Sequence, residues 1–410
     1  MFEAEVNPSG IDRAELVVSI PSYNEADSIA YPTLKANEGL NRYFPGVSSV
    51  IINCDNNSQD KTREAFLDTP TKVPKIYIST PPGVKGKGNN FRNLFRKVTE
   101  LGAKAIVVVD ADLKSITPEW IKHLGEPLLN DFSFVAPLYV RHKYDGTITN
   151  GIAYPLSRAL YGRRVRQPIG GEFGFSGDLA RLYLKSQTWD EAVAQFGIDL
   201  WMTTLALNSE AQVCQAFMGR PKIHKAKDPA ASLGPMFRQV LGTLFSLACH
   251  FESRWLGIKY SKPTAIFGFG LGETEMPPRV DVDSDKLIHE FREGFSTYGD
   301  IWEKVLAKDI CTKLLEIREL KRSLFDFPTD LWARILYDTA VSYRDQACDR
   351  LLMIDALVPL YFGRTFAFVK KTKSMSTRQA EESIEEDCGI FEMTKPYFVK
   401  RWLEKKPLSH

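Results

Sequence analysis

Four short, almost continuously apolar runs punctuate the first part of the chain: Leu16-Val-Val-Ser-Ile20, Val50-Ile-Ile-Asn53, Lys75-Ile-Tyr-Ile-Ser79 and Ala105-Ile-Val-Val-Val109. Runs rich in β-branched residues, with no polar alternation, are what strands buried on both faces require. Between them, Ser28 to Tyr43, Lys61 to Leu67 and Asn89 to Leu101 have the content of crossover helices. The alternation is a βαβ series and predicts an α/β fold with a doubly wound, mostly parallel sheet. Ligands of such sheets sit beyond the carboxyl ends of the strands, so the polar clusters that follow each run are the candidate site.

The pattern then changes twice. From about Phe132 to Ala226 strand and helix signals mix around glycine-rich joints, notably Gly170-Gly-Glu172. From about Ser232 the apolar residues fall at helical spacing, over Leu233 to Trp255, Asp285 to Ser296, Ile301 to Leu324, Pro328 to Tyr343 and Arg350 to Phe362. Pro263 to Val282, rich in glycine and proline, reads as a loop between helical sets, and the charged stretch Lys370 to Glu386 as a mobile tail. These shifts predict an α/β domain over 1–231 and a helical region over 232–410.

Composition narrows the function. The 410 residues carry 53 basic and 51 acidic side chains, a formal charge of +2. That balance excludes a general nucleic-acid binder, which needs clustered excess Lys and Arg, so an anionic ligand has to be met by a local site. The N-terminal segment Met-Phe-Glu-Ala-Glu-Val-Asn-Pro has no leader pattern, and no window approaches about 18 consecutive apolar residues, so no integral membrane association is expected. Cys54, Cys214, Cys249, Cys311, Cys348 and Cys388 are scattered without a C-x-x-C pair, which fits free thiols in a reducing cytoplasm. Apolar helical faces in the last third could support a homodimer.

The chemistry-bearing residues follow the strands in order. Val107-Val-Val-Asp110-Ala-Asp112 closes the fourth run, and alternation along a strand would turn both carboxylates to one side, suited to a hard divalent cation. Loop acids that cap the following helix are the plain alternative. Ile20-Pro21-Ser22-Tyr23-Asn24-Glu25 and Asn53-Cys54-Asp55-Asn56-Asn57-Ser58-Gln59-Asp60 offer acceptors and donors for a base and ribose, or simply helix caps. Pro82-Gly83-Val84-Lys85-Gly86-Lys87-Gly88 presents a glycine-bracketed, flexible lysine within reach of a phosphate, without the spacing of a Walker A loop.

P-S-Y-N-E, D-N-N-S-x-D, G-K-G and D-A-D on successive strands resemble the nucleotide-sugar half of the GT-A, Rossmann-like glycosyltransferase fold. Gln167-Pro-Ile169-Gly170-Gly171-Glu172, Phe196-Gly-Ile-Asp199, Ile223-His224-Lys225 and Leu233-Gly-x-Met-x-Arg238 extend the resemblance. It then points to the retaining enzymes that make mannosylglycerate, glucosylglycerate and glucosyl-3-phosphoglycerate, and spans about residues 15–245. In these terms about 15–115 is the nucleotide-sugar half and about 116–231 the acceptor half. The resemblance implies Asp112 and His224 as ligands of Mg²⁺ or Mn²⁺, and Asp110 and Ala111 at the nucleotide or sugar. It implies Pro21, Ser22, Tyr23, Glu25, Asp55 and Asn56 around base and ribose, and Lys87 at the pyrophosphate of a donor such as UDP-glucose or GDP-mannose. Asp110, Asp199, Ile169 and Gly170 fall at its catalytic centre.

For the acceptor, the resemblance implies that Arg141 and Thr149 grip a small carboxylate, with Gly171, Asp199 and Lys227 beside it. Relatives that use phosphoglycerate carry an arginine where this chain has Thr147, which turns the expectation toward glycerate. Ala226 and Lys227 also depart from the relatives' Tyr or Asn. Three rivals stay open on the residues alone, one of them a non-catalytic sugar-nucleotide sensor that binds without turnover. Asp199 could be the base of an inverting GT-A transferase, and a sugar nucleotidyltransferase would share both sheet and acidic metal site.

Overall fold

The computed structural model describes residues 4–224, 229–268 and 275–404, with backbone only for 229–233. Its nine strands, β1 (Ala4–Val6), β2 (Leu16–Ser22), β3 (Ser49–Asp55), β4 (Lys75–Ser79), β5 (Ala105–Val108), β6 (Phe134–Val140), β7 (Phe173–Ser176), β8 (Val213–Pro221) and β9 (Ala265–Phe267), form one mixed sheet. The strand order is β1-β4-β3-β2-β5-β7-β6-β8-β9. The four runs read from sequence are β2 to β5, and they pair in parallel as β4-β3-β2-β5. All of β2 and β5 is buried, which is why these segments show no polar alternation. The chain steps from β2 to β3 on one side and later returns to β5 on the other, which opens a crevice at the carboxyl ends of β2 and β5.

Beyond β5 the sheet turns antiparallel through β7 and resumes parallel pairing from β6 to β8 and β9. Two elements depart from the sequence pattern. The glycine- and proline-rich stretch read as a loop contains β9, which pairs in parallel with β8, and β1 pairs antiparallel with β4 although three residues are too few to show a period.

The chain divides into two compact units, one of Met1–Arg141, Val165–Thr243 and Pro263–Pro278, the other of His142–Arg164, Leu244–Lys262 and Arg279–His410. The expected single boundary at 231/232 is therefore replaced by interleaved segments: 142–164 joins the helices and 263–278 the sheet. The first unit holds all nine strands.

In the second unit, helices Ser284–Val305, Lys308–Glu319, Thr329–Arg344, Arg350–Thr372 and Thr377–Leu403 follow one another, with Tyr154–Tyr161 packed on the last. Phe398 stacks on Trp255 and Tyr337 at centroid distances of 4.7 and 4.6 Å. Arg364 reaches Asp387 and Thr329 in its interior, so the buried charge is paired and hydrogen-bonded. The stretch expected to be a mobile tail is ordered helix: Ser376 and Gln379 form a capping box that starts Thr377–Leu403. Its charges mark the solvent face of helices whose other face is buried. Arg350–Thr372 is apolar and long enough to cross a membrane by composition alone, yet 78% of that window is buried in the protein, as a core helix requires. No disulfide joins any of the six cysteines.

Candidate active site

The carboxyl ends of β2 and β3 are bound together by their own side chains. Ser22 Oγ donates to Asp55 Oδ1 at 2.8 Å, Ser58 Oγ adds a 2.6 Å bond, and Tyr77 OH reaches Asp55 Oδ2 at 3.0 Å. Asn56 Nδ2 donates to Asn90 Oδ1 at 2.6 Å while its Oδ1 accepts the Gly86 N–H at 2.8 Å. Ser22, Asp55 and Asn56 therefore fix the floor of the crevice and the entry to the Gly86-Lys87-Gly88 turn. Pro21 lies buried in β2 and Ala111 is buried after β5. Tyr23 is exposed, with the Lys85 ammonium 5.7 Å from its ring, and Glu25 Oε2 accepts from Ser28 Oγ at 2.6 Å.

Lys87 is not the flexible lysine the glycines suggested. It opens helix Lys87–Glu100, and both neighbours are glycine because the backbone of Val193 and Ala194 passes too close for a side chain. A Cβ on Gly86 would lie 2.3 Å from Ala194 O, and one on Gly88 1.9 Å from Val193 O. The turn is clamped and Gly86 holds a φ of +114°, which favours glycine. Its rigidity aims the ammonium.

That ammonium stands 3.2 Å from Asp110 Oδ1 and 3.2 Å from Asp199 Oδ1. On the far side of Asp110, Lys222 donates to Asp110 Oδ2 at 2.9 Å, Gly170 O at 3.1 Å and Glu172 Oε1 at 2.9 Å. All three N–H bonds of Lys222 are thus committed. Tyr139 OH donates to the other Glu172 oxygen. Gly171, at φ +89°, leaves the space this seat needs, since a Cβ there would come within 2.4 Å of Lys222 Nζ. The result is a row, Asp199, Lys87, Asp110, Lys222 and Glu172, drawn from five separate segments, buried at its Asp199 and Glu172 ends and half-buried between them.

Burial raises every carboxyl in the row, and the neighbours decide the outcome. Asp110 lies between two ammonium groups, which overcome its burial and hold it well below the usual carboxylate range. Burial dominates at Asp199 and raises it, with Lys87 a partial offset. Glu172, 0% exposed, is pushed up to about 8 by burial, against Lys222 and with Asp110. Both lysines are desolvated but raised overall by Asp110 and their other carboxylate partners.

Asp110 and Asp112 do not share a side through strand alternation: β5 ends at Val108 and both acids lie in the turn beyond it. Asp110 enters the row, whereas Asp112 is carried toward β8. An isolated antiparallel bridge pairs Leu113 with His224, supported by Lys114 N–H to Ile223 O at 2.8 Å and Ile223 N–H to Ser115 Oγ at 2.8 Å. The bridge brings the backbone next to Asp112 against His224, and a carboxylate with an imidazole is a donor set that fits a hard cation completed by phosphate oxygens and water. Among the described residues no group of three or more His, Cys, Asp or Glu is arranged for a metal, so the protein would supply few of its ligands.

Arg141 belongs to the sheet unit, its guanidinium 5.4 Å from the Tyr139 ring, while Thr149 belongs to the helical unit and is buried in a π-helical turn, Thr149–Ala153. Thr147 meets Tyr361 OH within the helical unit. Ala226 and Lys227 lie outside the described residues. The reading from sequence missed Lys222 and gave no role to Glu172 or Tyr139. The available signal was a lysine two positions before His224 at the end of a strand, facing a Gly-Gly-Glu joint.

No curated protein gives a significant match to the chain. A solved glucosyl-3-phosphoglycerate synthase from Mycobacterium tuberculosis, in complex with Mg²⁺ and UDP, is similar at 24% identity and a TM-score of 0.45, covering 57% of this chain and 79% of that one. The complex of that synthase with Mn²⁺, UDP and glucosyl-3-phosphoglycerate is 25% identical, with a TM-score of 0.45 and the same coverage. Residues 17–185, which run from the second residue of β2 through β7 and include Lys87, Asp110 and Glu172 of the row, match the family model for glycosyl transferase family 2. Over residues 17–185 the chain is thus similar to glycosyl transferase family 2.

Proposed function

We propose that the chain is a metal-dependent, retaining glycosyltransferase that moves glucose or mannose from a nucleoside diphosphate sugar to a small carboxylate acceptor, with glycerate the best acceptor. The observation that carries this reading is the row of two lysines and three carboxylates beyond the strand ends of a segment similar to family 2. Such a site can meet a diphosphate with fixed cations and a sugar with fixed acceptors. In this reading Pro21, Ser22, Tyr23, Glu25, Asp55 and Asn56 surround base and ribose, directly or by fixing the floor. Asp112 and His224 would hold Mg²⁺ or Mn²⁺. When bound, the cation neutralises charge on the leaving diphosphate.

The chain's own residues do the rest. Cleavage of the bond between the anomeric carbon and the phosphate oxygen leaves negative charge on that oxygen, and Lys87, preorganised by its clamped turn, stabilises it as it develops. Asp110, kept ionised by its two lysines, and Asp199 orient the sugar as its ring gains oxocarbenium character. The acceptor hydroxyl forms the new bond from the same face and passes its proton to the departing phosphate oxygen, so no separate base is required. Arg141 suits the acceptor carboxylate because a guanidinium donates two parallel hydrogen bonds.

The test is incubation of the chain with UDP-glucose or GDP-mannose, Mg²⁺ or Mn²⁺, and glycerate or 3-phosphoglycerate, followed by NMR of the product. Release of nucleoside diphosphate with retained anomeric configuration is the expected result. Inversion, or a requirement for nucleoside triphosphate with pyrophosphate release, would replace the reading by one of its rivals. With Thr147 in place of a phosphate-directed arginine and engaged with Tyr361, glycerate should exceed 3-phosphoglycerate in kcat/KM by at least about tenfold. One charge-assisted hydrogen bond contributes roughly 1.5–3 kcal/mol, and 1.4 kcal/mol is a factor of ten. A clear preference for 3-phosphoglycerate would overturn the acceptor assignment.

The row also predicts a pH dependence. While Glu172 is protonated, two ammonium groups face two other carboxyls; its ionisation adds a negative charge where an anionic donor must arrive. Because Glu172 is pushed up to about 8, kcat/KM for the donor should fall as pH rises through about that value. Glu172→Gln should flatten this alkaline limb, and an unchanged profile would remove Glu172 from the account.

A further inference from the structure

The helical unit contains a cavity of about 1070 Å³ that the reaction above does not use. Its wall includes Lys143, Arg279, Arg322, Lys370 and Lys373, and among the described lining residues a single acid, Asp281. A chain with 53 basic and 51 acidic residues has no general excess that would produce such a ratio. The five cations come from four stretches of sequence, yet converge on one concave surface floored by apolar side chains such as Phe366.

Their hydrogen bonds divide them into two groups. Lys143 donates to Thr372 O at 2.7 Å, Lys373 O at 3.2 Å and Met375 O at 2.7 Å, capping the end of helix Arg350–Thr372. Lys370 donates to Ser323 O at 2.6 Å and Phe325 O at 2.9 Å. These two hold the wall in place and contribute field. Arg279 and Arg322 are paired with Asp281 and Asp285, all four on the exposed side. Exposed pairs of this kind are weak and screened, so a ligand of higher charge can displace the carboxylates. Guanidinium groups match phosphate oxygens two at a time, and the cavity is at the upper end of the size of small-molecule sites.

We infer that this cavity binds a small polyanion, an organic phosphate whose charged head meets Arg279, Arg322 and Lys373 and whose body lies against the Phe366 floor. The inference is independent of the glycosyltransferase reading. Isothermal titration of the full chain with inorganic pyrophosphate, in chelator and at low salt, tests it. Binding that survives in Lys87→Gln, where the donor site has lost its own cation, is expected, and it should weaken at least tenfold when Arg322→Gln/Lys373→Gln is added to that variant. Both cavity side chains are exposed, so the added pair leaves the fold intact, which circular dichroism confirms. Absence of binding, its loss with Lys87→Gln, or its persistence at full strength when the pair is added would overturn the site. A parallel arm uses phosphatidylglycerol vesicles: sedimentation with vesicles through the same residues, without pyrophosphate binding, would overturn the soluble ligand in favour of a lipid headgroup.

Discussion

Lys87→Ala is expected to lower kcat/KM for the sugar-nucleotide donor by about 10²–10³, the loss typical when one preorganised donor to a developing anion is removed. The lysine is the only side chain shown to reach both Asp110 and Asp199 among the described residues, at 3.2 Å to each. Its removal leaves the buried Asp199 and half-buried Asp110 carboxyls facing an anionic ligand without the charge that separates them. Alanine is well accommodated at the first position of helix Lys87–Glu100, so the fold should survive. The effect should fall on kcat and on donor KM, with acceptor KM nearly unchanged. Steady-state kinetics with each substrate varied in turn decides the matter; an effect confined to acceptor KM would place Lys87 away from the leaving group.

Removing the cation should cost a comparable amount. In excess chelator turnover is expected to fall at least about a hundredfold, because a divalent ion contributes several kcal/mol of charge stabilisation to such a step. Asp112→Ala and His224→Ala should each reproduce most of that loss and weaken Mn²⁺ binding measured directly in the presence of nucleoside diphosphate. The Leu113–His224 bridge is made by backbone, so neither substitution removes it and the folded variants remain testable. Full wild-type activity in chelator would dismiss the metal, and full activity of the folded single variants would dismiss these two ligands.

The parallel core was legible in the sequence because burial on both faces leaves an unambiguous mark, and β2, β3, β4 and β5 all carry it. β1 and β9 were not, since three-residue strands are too short for a period and acquire their structure from the edge they join. The segment 370–386 misled because charge density alone cannot tell a solvated helical face from a tail; the capping box at Ser376 and Gln379 was the overlooked local signal. In the site, Lys87, Asp110 and Asp199 were singled out individually, but no spacing rule brings residues this far apart in sequence into one ionic row. Lys222 and Glu172 are intelligible only together: each looks like a surface charge until Gly171 lets the two meet. The glycines around Lys87 were visible as glycines, while their reason, backbone at 1.9–2.3 Å from a notional Cβ, belongs to a loop a hundred residues away.

The interleaving of the two units bears on how the chain is made. Helix Tyr154–Tyr161 leaves the ribosome early, but the helix it packs on, Thr377–Leu403, is among the last segments synthesised. Roughly 220 residues separate them, so at about 5–20 residues per second the earlier helix waits on the order of 10–45 s for its partner. During that interval Arg158 lacks Glu385 and Glu392, and Tyr154 lacks Glu385. The sheet unit's parallel core is complete on the nascent chain well before then, while the helical unit can close only near the end of translation. A chain cut at residue 279 would therefore keep two stranded pieces of the helical unit, 142–164 and 244–262, with their apolar faces uncovered.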